Sequence, residues 1–516
     1  VRSKNKKELD WPVFYISGGF LILFIILSLL SKEKVGEWVN TLFTYSSDWF
    51  GAYWQILLLL NFLIGLGLAV SKYGKVRLGK MDKPKYSYFG WVSMILVTLL
   101  ASGGVFWAAA EPMYHYMDTP PLFGGGEFNY LDGAMAQAFV HWGFLGWAIL
   151  GTLAVVVMMY VHYHKGYPLK PRGLLYPIFG EKIFEKSVVG TLADSFSIIA
   201  TVAGTLGPLG FLGLQISYGL NHLFGVPNTL VISMLVVLGL VTVAAISAAT
   251  GVDRGIYHLS NWNVQFTILL ALLVFLIGPT TFIIDAFIGG TGAHLQNFFT
   301  MNLFRGDEGW LSGWTIFFWG WFIGYAPMLI VFISRISRGR TIRELIIAVS
   351  VVAPLVTNFW FSVVGGTGIF FENENPGSVS NALTEGGMPA AVMAITDQLP
   401  MGVIFGVGFL LVSIIFVATT TDTMSYTVAA TLSGHDNPKR WLRVFWAIIF
   451  GATTAVILTI GEDSITSIQN SIVITAVPVS FLLLPPLWNA PKIAKKMALE
   501  QGLIWQREMN KKVDKD

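Results

Sequence analysis

The chain has 516 residues, 54% of them hydrophobic and only 12% charged, with a mean hydropathy of +0.64 and a formal net charge of +3. So few charges cannot clothe a soluble surface, and a net charge this small on so apolar a chain gives no reason to expect nucleic acid as a partner. The composition is that of a polytopic membrane protein. Cysteine is absent, which excludes disulfides, thiol catalysis and thiolate metal sites.

Twelve apolar spans long enough to cross ~30 Å of hydrocarbon are predicted at 12–30, 50–71, 88–110, 133–161, 190–221, 228–250, 264–286, 311–333, 345–366, 402–432, 441–460 and 470–488. Their backbones must bond within themselves in lipid, so helices are the expected form. The first run, Trp11–Leu30, leads into Ser-Lys-Glu-Lys and not into a small-residue cleavage site, so it reads as a span and not as a signal peptide. With both termini in the cytoplasm, Lys32, Lys34 and Arg305 are the three of 33 Lys and Arg residues left outside. That asymmetry fits the positive-inside rule.

The connecting segments are short. The outer stretch 111–132 carries Pro120-Pro121 and Gly124-Gly125-Gly126, which favour irregular backbone. A second outer stretch, 370–397, is acidic and contains Gly and Pro. Trp310 and Trp314, at the outer end of the eighth span, are expected as interfacial anchors. The basic tail Lys492–Lys515 is expected to be helical and to lie near anionic lipid.

Spans three to seven and eight to twelve form two sets of five, and an odd number per set makes the sets inverted in the membrane. The first helix of each carries small or breaking residues: Ser102-Gly103-Gly104 in the third span, Gly320, Gly324 and Pro327 in the eighth. Matched breaks in corresponding helices point to a transporter's midplane site. The plain alternative is close helix packing at the glycines. The eighth span also places Phe318, Trp321, Phe322 and Tyr325 at i, i+3, i+4 and i+7, hence on one face. Rings on one face can cage a cation, or can simply be core.

Five blocks closely resemble the betaine/choline/carnitine transporter family: FWAAAEPMYHY (Phe106–Tyr116), HWGFLGWAI (His141–Ile149), GVDRGIYHLSN (Gly251–Asn261), TIFFWGWFIGYAPMLIVFISRISRGRTIREL (Thr315–Leu345) and ATTTDTMSY (Ala418–Tyr426). The resemblance covers nearly the whole chain. It implies an all-α polytopic fold of two inverted five-helix repeats, like that of the amino-acid symporters (LeuT-like), preceded by two extra helices. The expected parts are 1–87 (N-tail and extra helices), 88–286 (first repeat), 287–310 (outer connection), 311–488 (second repeat) and 489–516 (C-tail). It further implies a homotrimer in a prokaryotic cytoplasmic membrane, no enzymatic activity, and a small zwitterionic substrate bearing a trimethylammonium or related group.

By resemblance, the substrate aromatics match onto Trp142 and Trp147 in the fourth span and Trp321, Phe322 and Tyr325 in the eighth. The substrate's carboxylate is expected near the break at Ser102-Gly103. Two positions depart from the family: Leu150 where many members have Tyr, and Phe322 where many have Trp. The thinner cage makes ectoine a competitor to glycine betaine. Where choline-type members tend to carry Asp, the matching residue is Gly103, which counts against choline.

The resemblance also implies sodium, held by the hydroxyls of Thr419 and Thr420 with Phe416 beside them and carbonyls near Val97 and Leu100. Back-bonding of the threonines to the preceding turn is the plain alternative. Thr205 matches one hydroxyl of a second sodium position, but Pro208 stands where a Ser is often found, which leaves that position incomplete. Asn263 and Leu329 occupy the places where sodium-independent exchangers carry Arg and Met, and neither can replace a cation. Proton coupling through Glu111, His141, Asp194 or Asp422 stays open, as does exchange of carnitine, choline or ectoine. A channel fits less well, with no repeated charge ring in view. No cofactor other than the coupling ion is expected, and no HExxH, Walker or GxSxG motif stands in a convincing context.

Overall fold

Long apolar runs become helices wherever hydrophobic side chains surround the whole cylinder, because the backbone then satisfies itself and the exterior can face lipid or protein. The computed structural model describes residues 9–99, 103–124, 130–250, 253–435, 437–460 and 463–504. Among them it is helical throughout, with one isolated antiparallel bridge between Arg77 and Thr341. Ten helices among the described residues are long and apolar enough to cross a membrane, or eleven if a bent pair counts as one span. Leu100, Ser102, Gly125, Gly126, Gly251 and the tail beyond residue 504 lie outside the described residues.

Several expected limits move. The helix Lys32–Val70 has 39 residues and begins one residue after the first span ends, so no outer loop separates them. In the third span the described helices are Tyr88–Leu99 and Val105–Met117, the second opened by a wide helical turn at Gly103-Gly104, and residues 100–102 between them lie outside the described residues. The span expected at 264–286 is instead Asp253–Ile277, and the chain turns by 107° at Gly278-Pro279 into Thr280–Gln296. Proline lacks the N–H that would continue the helix. The second arm then packs closely on Tyr130–Trp142: a Cβ at Gly290 would lie 2.6 Å from Met135 Cβ.

The eighth span corrects the sequence reading. Thr315–Ile336 is one uninterrupted helix containing Gly320, Gly324 and Pro327; the only break in this span is at Trp314, which separates it from Glu308–Gly313. The glycines serve packing. A Cβ at Gly320 would sit 3.1 Å from Trp54 and 3.3 Å from the Val473 backbone, and at Gly324 it would meet Ala200. Every residue of this helix except Phe332 and Arg335 is buried. It packs on Val188–Phe224, Ser464–Leu483 and the short helices Phe144–Gly151 and Leu153–Met159. Trp11–Leu30 and Leu230–Thr250, by contrast, turn most of their side chains outward, as lipid-facing helices do.

The arginines after the eighth span fasten the inner loop. Arg338 donates to Gly79 O (2.7 Å), Arg340 to Tyr86 O (2.7 Å) and Arg343 to Ala69 O (2.8 Å), while Arg77 reaches back to Gly339 O (2.7 Å). Arg340 also lies 4.7 Å over the Trp91 ring. Five guanidinium N–H donors on a planar fork suit the capture of carbonyls that no helix satisfies. On the same side, Asp10 pairs with Lys170 (2.8 Å) and Arg172 (3.0 Å), and Arg172 pairs with Asp194 (2.6 Å). Burial alone would raise the Asp10 carboxyl, but Lys170 and Arg172 outweigh it and hold the group below its ordinary value. The tail helix, Pro486–Glu500, is not merely laid on lipid: Leu487, Ala490, Ile493, Ala494 and Met497 are buried against Leu153–Met159 and the inner loop.

Glu372 organises the acidic segment expected on the outer side. Its carboxylate accepts from the N–H groups of Gly377 (2.8 Å), Val379 (3.0 Å) and Ser380 (2.9 Å) and from the Ser380 hydroxyl (2.7 Å). An ionised carboxylate accepts these bonds and a protonated one accepts fewer, so the loop loses order when acid protonates Glu372. Glu372→Gln is expected to cost this loop about 1 kcal/mol after solvent screening. Limited proteolysis at neutral pH should then cut residues 375–390 several-fold faster, and acid should erase the difference between variant and wild type.

Candidate functional site

Trp142 ends the helix Tyr130–Trp142 because Gly143 breaks it; a Cβ at Gly143 would lie 2.0 Å from Phe139 O, so only glycine fits. The indole thereby meets the ring face of Thr315–Ile336. Trp142 lies 5.9 Å from Trp321 and 5.7 Å from Phe322 between centroids, nearly perpendicular to both (86° and 78°). Trp321 and Phe322 are almost parallel, at 17°. Two parallel faces and one perpendicular face make a corner. Phe318 (5.6 Å) and Phe361 (5.2 Å) extend it on the Trp142 side, and Phe211 (5.9 Å) on the Trp321 side.

Glycines bring backbone up to these rings. A Cβ on Gly103 would lie 2.6 Å from Trp321 and 3.4 Å from Trp142; on Gly207, 2.6 Å from Trp321; on Gly146, 2.6 Å from Phe322. Trp321 Nε1 donates to Gly204 O at 2.8 Å, which fixes its plane. The rings touch at edge-to-face separations, so a methylated ammonium enters this corner only when Trp142 or Trp321 swings aside.

The other expected residues fall in different places. Trp147 is buried one turn further on and donates to Thr357 Oγ1 at 3.1 Å; among the described residues no ring contact joins it to the corner. Leu150 is buried on the same short helix. Tyr325 packs over Gly204, and its buried hydroxyl has no hydrogen-bond partner among the described residues. Trp107 Nε1 is likewise buried and unpaired, with the indole 3.3 Å from the Cβ position of Gly103. Trp107, Phe211 and Phe361 were not singled out by sequence reasoning. FWAAAEP does contain Trp107, but its spacing carries no sign of which face meets the eighth span.

Trp310 and Trp314, expected as interfacial anchors, are each half-buried. They turn inward onto His115, at 5.9 and 4.4 Å. Below them lies a buried polar cluster. Glu111 Oε1 is 2.5 Å from His141 Nδ1 and 3.4 Å from His115 Nε2, and Glu111 Oε2 accepts from Trp142 Nε1 at 2.8 Å. A carboxylate therefore stands directly behind Trp142, and it belongs to one of the four groups for which proton coupling was left open. Of the other acids weighed as proton carriers, Asp194 is paired with Arg172, and Asp422 with Arg443 at 3.1 Å.

For sodium, Thr419, Thr420 and Phe416 are buried on the helix Gly402–Ser433. Thr419 Oγ1 donates to Ile415 O at 2.8 Å. That is the back-bonded arrangement, yet it spends only the hydroxyl proton and leaves oxygen lone pairs for a hard cation. Val97 is half-buried on the helix Tyr88–Leu99. Thr205 donates to Thr201 O at 2.7 Å, and Pro208 continues the same helix. Asn263 is buried and donates to Val412 O at 3.3 Å. A cavity of about 290 Å³ lies away from the rings, lined mostly by apolar side chains such as Phe20, Leu27, Trp38 and Ile199, with Thr453, Ser471 and Thr475 as its polar residues and no charged group in its lining.

A family described as the betaine/carnitine/choline family of transporters matches residues 12–499. The chain is 51% identical over 501 residues to a protein called glycine betaine transporter 2 from Vibrio parahaemolyticus serotype O3:K6, covering 97% of this chain and 93% of that one. It is 32% identical over 491 residues to an ectoine/hydroxyectoine transporter from Virgibacillus pantothenticus, covering 93% and 95%. A solved Na+-coupled sialic acid symporter aligns with a TM-score of 0.45 at 13% identity over 83% of this chain and 86% of that one, a likeness too loose to carry an argument here.

Proposed function

The chain belongs to the betaine/carnitine/choline transporter family, and on that premise we propose that it imports a zwitterionic compatible solute, a quaternary ammonium such as glycine betaine, by sodium symport. It is a multi-pass membrane transporter and not an enzyme. The observation that carries the substrate reading is the corner of Trp142, Trp321 and Phe322. A quaternary ammonium has no N–H to donate, and ring faces attract it by about 0.5–2 kcal/mol each, more as water is excluded.

The solute's carboxylate needs donors. Trp107 Nε1 and Tyr325 OH are buried near the corner without partners among the described residues, a costly condition that an incoming carboxylate relieves. Together with the backbone beside Gly103, they form the anion end of the site. Sodium takes Thr419, Thr420 and carbonyls near Phe416, Val97 and Leu100, with Thr205 in an incomplete second position. Three such chains assemble as a homotrimer in a prokaryotic cytoplasmic membrane, with both termini inside.

Ectoine is the second reading, favoured by Leu150 and Phe322 in place of larger rings and by the name of the Virgibacillus relative. Uptake of labelled glycine betaine into proteoliposomes decides between them. Saturable uptake is expected, displaced by excess unlabelled glycine betaine and not by choline, which lacks the carboxylate. Displacement by ectoine alone would move the substrate to ectoine, and flux that never saturates would favour a channel.

A further inference from the structure

We propose that Glu111, His141 and His115 form a buried proton-binding site that holds Trp142 in place and makes substrate affinity depend on pH. The inference rests on the reading that the Trp142 corner receives the solute. All three side chains are fully buried, on the helices Val105–Met117 and Tyr130–Trp142. The site touches the cage twice and the ring helix once. Glu111 Oε2 accepts from Trp142 Nε1 at 2.8 Å, and His141 stacks on Phe318 at 4.7 Å and 22°. His141 Nε2 also lies 2.9 Å from Thr315 Oγ1, the first residue of the ring helix, and 3.1 Å from Gln137.

The arrangement suits a proton better than a metal. Two ligands of one tetrahedral ion stand about 3.3 Å apart when each bond is about 2.0–2.1 Å. Glu111 Oε1 and His141 Nδ1 are only 2.5 Å apart, too close for two ligands of one ion and within reach of one shared proton. Charge counting then fixes how many protons belong there. With both imidazoles neutral and the carboxylate ionised the cluster carries one negative charge; one added proton makes it neutral.

Among the described residues the surroundings supply no other compensation. The titratable neighbours of His141 are His115 and, from the helix Thr280–Gln296, His294. Trp310, Trp314 and Thr315 face the cluster from the eighth span and carry no charge. Among the described residues no Lys or Arg pairs with any of the three. Closing the rings over an unprotonated cluster buries a net charge in apolar surroundings.

The consequence has a definite sign. When the cage opens to water, the shared proton leaves once pH exceeds the ordinary histidine range, about 6.5. Above that, ring closure must recover a proton or bury a charge, and each pH unit costs the closed state up to tenfold. Affinity that depends on closed rings therefore falls as pH rises. Glu111 acts here as a positioning residue, through Trp142, and does not itself touch the solute.

The test is glycine betaine uptake by proteoliposomes between about pH 5.5 and 9, comparing wild type with Glu111→Gln, which keeps an acceptor for Trp142 and cannot ionise. Apparent KM for wild type is expected to rise at least tenfold between about pH 6.5 and 8.5, and the profile of Glu111→Gln to be flat. The Tm of the substrate-free protein in detergent is followed over the same range and should fall with pH in wild type only. If Glu111→Gln does not fold, the double variant His115→Gln with His141→Gln takes its place, measured down to about pH 4, and its fall should move to lower pH, where a carboxyl alone titrates in water. Parallel profiles for wild type and variant in both measurements would overturn the proposal. Absence of glycine betaine uptake at every pH would instead count against the substrate reading, and the substrate-free Tm comparison would still decide the proton site.

Discussion

Trp321→Leu is expected to raise the apparent KM for glycine betaine by about 30-fold or to abolish measurable uptake. Removal of one desolvated ring from a cation cage costs about 2 kcal/mol, which is that factor. The loss extends beyond one ring. Trp321 fills the space against Gly103 and Gly207, anchors on Gly204 O, and lies alongside Phe322, so a smaller side chain lets Trp142 and Phe322 move into its place. Trp321→Phe separates the two contributions, because it keeps a ring face and loses only the hydrogen bond to Gly204. Its expected effect is several-fold, in line with about 1 kcal/mol for one neutral hydrogen bond. Trp321 is fully buried, so size-exclusion profiles and melting curves must accompany the kinetics. A folded Trp321→Leu protein with wild-type KM would rule out the ring corner as the substrate site.

Removal of external sodium is expected to reduce uptake into proteoliposomes by more than tenfold, and Thr419→Ala with Thr420→Ala to reproduce that loss in saturating sodium. A hydroxyl oxygen facing a full positive charge contributes about 1.5–3 kcal/mol, so loss of two cannot be masked by ordinary sodium concentrations. The back-bond from Thr419 to Ile415 O gives the experiment its control. If the hydroxyls only stabilise their own helix, the double substitution lowers Tm and leaves the sodium dependence as it was. Uptake indifferent to sodium but driven by a counter-solute or a pH gradient would replace symport by exchange or proton coupling, and the carboxylate-imidazole pair behind Trp142 would then be the first residues to substitute.

Much of the fold was legible because the bilayer imposes a length and a polarity on every crossing segment. Trp11–Leu30, Leu230–Thr250 and Gly402–Ser433 are close to their expected limits. Errors arose where sequence signals for a break have two physical outcomes. Gly278-Pro279 turns the chain, whereas Gly320, Gly324 and Pro327 remain inside one helix. The difference is the neighbourhood: Trp54, Val473 and Ala200 pack against Gly320 and Gly324 of the eighth span, contacts made by residues more than a hundred positions away.

The site shows the same division. Periodicity alone placed Phe318, Trp321, Phe322 and Tyr325 on one helical face, since 3.6 residues per turn is a local property. The arginines after this helix, the scarcity of buried acids and the twelve-span charge asymmetry were equally local or additive features. Which faces meet is neither. Only the tertiary structure set Trp142 perpendicular to Trp321 and Phe322, brought in Trp107, Phe211 and Phe361, and left Trp147 bonded to Thr357 apart from them. It also joined Glu111 to His141, 30 positions along the chain, and His141 to Thr315, 174 positions along. Contacts at such separations depend on how whole helices pack, and a sequence pattern that repeats every few residues carries no record of that.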